Sequence, residues 1–171
     1  ADQEFWMRWL SGVTINSFPN LIPSSFDANS QESAWPEVEL RLPAGYSQKL
    51  KQFAQSHAVP LKCVLLAAHL RILSLLQGGE TNITTGLVTS VRPEELDSDQ
   101  VLGVFLNTLP LCMQLGAETW TELIHRVFEM EQAMLKARYF PLASLQKLQG
   151  GKVLFESTFN YLHYHMGKDF L

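Results

Sequence analysis

The side chains able to do chemistry are few in this sequence, and their spacing is uneven. Five histidines are present. His69 lies in an apolar stretch and reads as a core or interface histidine, while His125, between Ile124 and Arg126, reads as a near-surface one. His163 and His165 would share one face of a strand at close to metal-ligand spacing, but no third ligand stands at a suitable distance, so no metal site is expected. Neither a phosphate-binding glycine loop nor a nucleophile elbow is present, and Gly78-Gly79 and Gly150-Gly151 read as turn signals. Two polar residues draw more interest. Asn107 interrupts an apolar run, where an amide must find partners or cost about 1–3 kcal/mol. It is either a structural hydrogen-bonding group to a neighbouring loop or a polar group facing a substrate. Arg92 stands in a loop beside Pro93, where it reads as a solvated arginine.

The elements that must position these residues follow from periodicity. Residues 4–11 read as the end of a helix stopped at Gly12, and the Ser-, Asn- and Pro-rich residues 13–36 as an extended linker. Val38, Leu40 and Leu42 alternate with charged residues, the pattern of a strand. Ser47 is placed to cap a short helix carrying Leu50, Phe53 and Ala54. Pro60 opens a strongly apolar helix that Gly78-Gly79 ends. Residues 83–89 predict a Thr-rich strand in which Gly86 marks a close backbone approach. Residues 101–113 are apolar on both faces and predict a buried strand, with a break or bulge at Pro110. Thr119-Trp-Thr-Glu122 spells a capping box for a helix whose apolar face includes Trp120, Leu123, Ile124, Val127, Phe128 and Leu135. A last aromatic strand is expected over residues 153–164. The order of elements predicts an α/β (α+β two-layer) lobe, one mixed sheet with helices packed on it.

Composition narrows the function classes. The net charge of −4 argues against a nucleic-acid binder, which would show a basic patch. Charged residues are only 18% of the 171, which suggests a surface meant to be covered by something else. No apolar run reaches the ~18 residues of a membrane span. Cys63 and Cys112 each sit in an apolar run and read as two buried thiols in a reduced, cytoplasmic protein. The sequence begins without Met and reads as a piece of something longer. Residues 1–36 are expected to be an incoming helix and linker, and residues 37–171 one lobe.

Four segments, in order, resemble the condensation domains of nonribosomal peptide synthetases: Val64-Leu-Leu-Ala-Ala-His-Leu-Arg-Ile-Leu73, Ile83-Thr-Thr-Gly-Leu-Val-Thr-Ser-Val-Arg-Pro93, Leu102-Gly-Val-Phe-Leu-Asn-Thr-Leu-Pro-Leu111 and Arg138-Tyr-Phe-Pro-Leu142. The third is the most specific, since the family pattern is Gly-x-Phe-x-Asn-Thr. The terminal Leu154-Phe-Glu-Ser-Thr-Phe-Asn160 is also similar, so the likeness spans roughly residues 37–164. Two departures stand out: Arg138-Tyr139 where the family has Gln-Asp, and Cys112 where it usually has Arg. The family's catalytic His-His-x-x-x-Asp-Gly has no counterpart. His165 and Asp169 imitate its spacing, but Tyr164 replaces the first His, Phe170 replaces the Gly, and the position is wrong for the family.

The resemblance implies a chloramphenicol-acetyltransferase-like fold of two lobes, of which this chain is the C-terminal one. It implies amide-bond formation between a donor and an acceptor, each tethered to a carrier protein through a phosphopantetheine arm, in a tunnel between the lobes. The arms are substrates, and no bound cofactor or metal is implied. The expected partners are the N-terminal lobe and peptidyl carrier proteins, with no nucleic acid and no membrane. No catalytic residue is assigned to this chain, which is expected to be inactive alone and to self-associate through its uncovered apolar surface. The tunnel or structural candidates are Asn107, Arg92, Thr89, Ser90, Thr108 and Asn160, and the resemblance implies that Arg92 makes a fixed ion pair across the lobes, for which a guanidinium fork is suited. An alternative is a non-catalytic module that docks carrier proteins or pairs lobes.

Overall fold

A computed structural model describes residues 2–11, 13, 15, 37–95 and 100–162. His163, His165 and Asp169 lie outside them. The elements run α1 (Asp2–Trp9), α2 (Tyr46–Ser56), α3 (Leu61–Leu76), β1 (Asn82–Ser90), β2 (Leu106–Gln114), α4 (Trp120–Leu135), α5 (Leu142–Leu148) and β3 (Thr158–Phe159). The mixed α/β class expected from the sequence is the one observed. The sheet order is β2-β1-β3, with β1 antiparallel to β2 and parallel to β3.

The core forms where the helices lie on this sheet. From α3 it takes Leu66, Ala67 and Leu70, from the strands Ile83, Leu87, Leu109 and Leu111, and from α4 Leu123, Ile124 and Val127. The N-terminal helix joins the same core. Trp6 is fully buried and its Nε1 donates to Ala137 O at 3.1 Å.

Local signals hold at several ends. Thr119 and Glu122 make the reciprocal capping box of α4. Pro60 is the N-cap of α3, and Gly78 and Gly79 (φ 75° and 90°) end it in the left-handed region that favours glycine. Ser47 does not cap α2. The N-cap is Gly45, left-handed at φ 82°, with no side-chain hydrogen bond, and Ser47 lies inside the helix.

Pro110 does not break the ladder either. Gly86 N donates to Ser157 O at 2.8 Å, so at the Gly86–Pro110 pair β1 turns its N–H toward β3. The pair is therefore a non-hydrogen-bonded one. The N–H that Pro110 lacks would have pointed off the outer edge of β2, where its loss is harmless. Pro110 O, facing the same way, accepts from Trp9 Nε1 at 3.0 Å, so α1 covers that edge.

Three expectations need correction. Residues 37–43 form no strand, and Val38 and Leu40 are 89% and 83% exposed, because nothing among the described residues pairs with them. The apolar run 101–113 is a strand only from Leu106 on. Of the aromatic strand expected over residues 153–164, only Thr158–Phe159 is a strand among the described residues. One helix was not foreseen: α5, which Pro141 opens as N-cap. Trp120, placed on the apolar face of α4 by spacing, is more than half exposed at the helix start.

Candidate functional site

An open cleft of about 780 Å³ lies where the end of β1 meets the start of α3 and the turn after α4. Three of the candidates, Thr89, Ser90 and Arg92, line it, because β1 runs out of the core there and its residues pass from buried to exposed. Residues outside the candidate set complete the wall: Lys62 at the start of α3, Glu94 after the Arg92-Pro93 turn, Arg138 after α4, and Tyr161 after β3. No single described helix is long and apolar enough to cross a membrane.

Asn107 shapes this cleft from behind. It pairs across the ladder with Thr89, so the two side chains share a face of the sheet. Its Nδ2 donates to Arg138 O and Phe140 O, each at 2.9 Å, and its Oδ1 accepts from Thr108 N at 3.0 Å. The amide thus straps the turn that carries Arg138 onto the end of β2. Thr108 takes part through its backbone. Asn160 is exposed and does not line the cleft.

Arg92 braces its own loop. Its Nη1 donates to Val101 O at 2.9 Å, and its guanidinium lies over the Phe105 ring, 4.4 Å from the centroid. Arg138 reaches across to Glu94, Nη2 to Oε1 at 2.5 Å, and that bond raises the guanidinium pKa from its ordinary value. The ring of Tyr139 also lies under it at 4.9 Å, with the phenol oxygen 3.0 Å from Nη2.

Beneath the cleft wall, α3 and α4 share a buried carboxylate. Glu131 is 2% exposed, in ion contact with Lys62 on one side and accepting from the Cys63 thiol at 3.4 Å on the other. Burial, together with the Glu131 charge and hydrogen bond, pushes the Cys63 thiol up to about 12. The sequence signal for this cluster exists: Leu123, Val127, Glu131 and Met134 follow at helical spacing, which puts one acid on a buried stripe. Both cysteines are free, Cys63 buried and Cys112 partly so. His69 is half-buried, its Nε2 3.0 Å from Thr85 Oγ1, and His125 is exposed as expected.

The condensation-domain family matches residues 1–169 of the sequence. The chain belongs to that family. Condensation domains are peptide-bond-forming enzymes, and this chain is a condensation-domain portion of a nonribosomal peptide synthetase. The AMB antimetabolite synthetase AmbE of Pseudomonas aeruginosa is 32% identical over 165 residues, covering 96% of this chain and 7% of that synthetase. A linear gramicidin synthase protein of Brevibacillus parabrevis is 31% identical over 168 residues, 97% of this chain and 3% of that protein. The chain therefore spans a small fraction of the length of these relatives. In fold it is similar to the first condensation domain of the calcium-dependent antibiotic synthetase, solved in complex with a substrate analogue. The TM-score is 0.75 at 20% identity, over 95% of this chain and 34% of that one.

Proposed function

We propose that this chain is the C-terminal lobe of a condensation domain that forms an amide bond between a carrier-tethered acyl donor and a carrier-tethered amine acceptor. The observation that carries the reading is the cleft at the end of β1. It gathers Thr89, Ser90 and Arg92 from one of the family-like segments, and Asn107 of the most specific segment fastens its wall. In this reading the cleft is this lobe's share of the substrate passage, and its residues orient the pantetheine-borne groups. The histidine that acts on the acceptor amine is supplied from outside these 171 residues. The N-terminal lobe and two carrier proteins are the partners, and the reaction takes place in the cytoplasm.

The exposed apolar segments favour lobe pairing as part of this role. Val38, Leu40, Leu102 and Val104 are each more than four-fifths exposed, a pattern that fits cover by another surface. The same segments would let the isolated chain self-associate. The test joins the chain to its N-terminal lobe, supplies donor- and acceptor-loaded carrier proteins, and follows product by mass spectrometry. The complete domain is expected to form the amide and the 171-residue chain alone to form none. Turnover by the chain alone, or none by the complete domain with any loaded pair, overturns the reading.

A further inference from the structure

We propose that the cleft is an oxyanion site, in which Arg138 holds a carboxylate or phosphate group of the incoming substrate and Glu94 keeps the place in its absence. This rests on reading the cleft as a substrate passage and adds the chemical class of group that enters it.

Four features converge. Among the described side chains lining the cleft, Lys62, Arg92 and Arg138 are cationic and only Glu94 is anionic. Lys62 is committed to Glu131, and Arg92 to Val101 O and the Phe105 ring, whereas Arg138 meets only an exposed carboxylate and its neighbouring tyrosine. Next, the fork of Arg138 is half filled. Glu94 Oε1 occupies Nη2, while Nε is buried without a hydrogen-bonding partner. Nε and Nη2 are the two adjacent donors that a planar guanidinium offers to a pair of oxygens, and an unmade bond to a buried donor is costly. A ligand presenting two oxygens, once it displaces Glu94, can fill both.

The place-holder is also weakly held. The Glu94 side chain is 81% exposed and that of Arg138 only 18%, so solvent screens the contact and Glu94 can leave while Arg138 stays. Finally, the start of α3 opens on this cleft through Pro60, Leu61 and Lys62, and no side chain caps it. Cys63 N already donates to Pro60 O at 2.9 Å, and the start of this 16-residue helix, which no side chain caps, adds the positive end of the helix dipole to the same space. Asn107 makes the arrangement durable, since its amide ties the Arg138 carbonyl to the sheet.

Phosphate and carboxylate sources share this chemistry, and the probes separate them. Phosphopantetheine, pantetheine and N-acetylglutamate are each titrated calorimetrically into the chain joined to its N-terminal lobe. Binding of phosphopantetheine at least tenfold tighter than pantetheine identifies the arm's phosphate as the ligand. Binding of N-acetylglutamate with no preference between the other two identifies an acidic substrate side chain. In either case Arg138→Gln is expected to weaken the favoured probe at least tenfold. Arg138→Lys, which keeps the charge and loses the fork, should weaken it several-fold, and Glu94→Gln should tighten it about threefold or more. The last is a gain that misfolding cannot imitate. Equal affinity in wild type and Arg138→Gln, or weaker binding by Glu94→Gln, overturns the proposal. A complete domain that forms amides but shows no Arg138-dependent anion binding sinks the oxyanion site and leaves the proposed function standing. Arg138-dependent binding without amide formation does the reverse.

Discussion

The apolar run of residues 101–113 divides into two halves with opposite fates. Leu109 and Leu111 are fully buried and Met113 is 4% exposed, while Leu102 is 97% exposed, Val104 88% and Leu106 57%. The residue types are nearly the same; the cover is different. The second half pairs with β1 along its length and receives α1 over its open edge and helices over its face. The first half leaves the ladder at the Ser90–Leu106 pair, and no described element lies on it. Hydropathy therefore states that a segment is to be covered, and topology states by what. Here one half is covered by described elements of its own chain, and the other is left uncovered by them.

The sharpest way to break this contrast is truncation in each half. Leu109→Ala is expected to cost about 2–5 kcal/mol, the range for emptying a filled core site. Leu102→Ala should change the stability of the isolated chain by no more than about 0.5 kcal/mol, as at other exposed positions. Denaturant unfolding of the two variants gives both numbers. A comparable loss for Leu102→Ala would mean that the first half is packed on its own chain after all.

A smaller effect sharpens the buried side. Gly86 sits in the central strand, and a Cβ there would come 2.5 Å from the Phe155 ring. Gly86→Ala should cost about 1–3 kcal/mol by overpacking. Phe155→Ala should remove the clash, so the double variant is expected to lose less than the sum of the singles. Additive losses would show that the glycine is needed for another reason.

How much of this was legible beforehand depends on whether a signal was local. The capping box at Thr119 and Glu122 and the glycine stop after α3 were readable because each depends on a few neighbouring residues. The close approach at Gly86 is to an aromatic ring, which no strand pattern announces. Pro110 misled because its effect depends on which way the missing N–H points, a property of the pairing register. Val38, Leu40 and Leu42 misled because alternation marks a strand only where a partner exists. In the site, family likeness singles out Thr89, Ser90 and Arg92, and the structure places all three at one cleft. Asn107 presented both readings, and the structure shows its amide bonded to the turn that carries Arg138. Arg138 itself was noticed only as a departure from the family pattern. Its partner Glu94 is 44 residues away, and no spacing rule joins them.

The smallest expected effect concerns the pH dependence of the covered region. His69 faces Thr85 from α3, and burial lowers its pKa from the ordinary value. Thr85 Oγ1 donates to Ser157 O at 3.2 Å, so toward His69 it acts as acceptor and Nε2 carries the proton. The Ser157 hydroxyl donates to the same oxygen at 3.1 Å, which ties α3, β1 and the approach to β3 into one polar link. Burial thus makes the folded state favour the neutral imidazole more than the unfolded chain does. An unfolded chain binds a proton on it below about pH 6.5. Between the lowered folded value and that unfolded value the unfolded state carries more protons, so stability rises with pH in this window. The contribution is complete above about pH 6.5, falls away as pH drops toward the folded value, and is constant below it. His69→Gln keeps a donor for Thr85 but does not titrate. Urea unfolding of wild type and His69→Gln at several values between about pH 8 and pH 5 should show the wild type losing more stability on acidification. A difference between the two proteins that stays the same across this range would show that His69 is no harder to protonate in the folded chain than in the unfolded one. The polar link at the sheet would then be solvated, and the contrast between covered and uncovered regions would stop short of it.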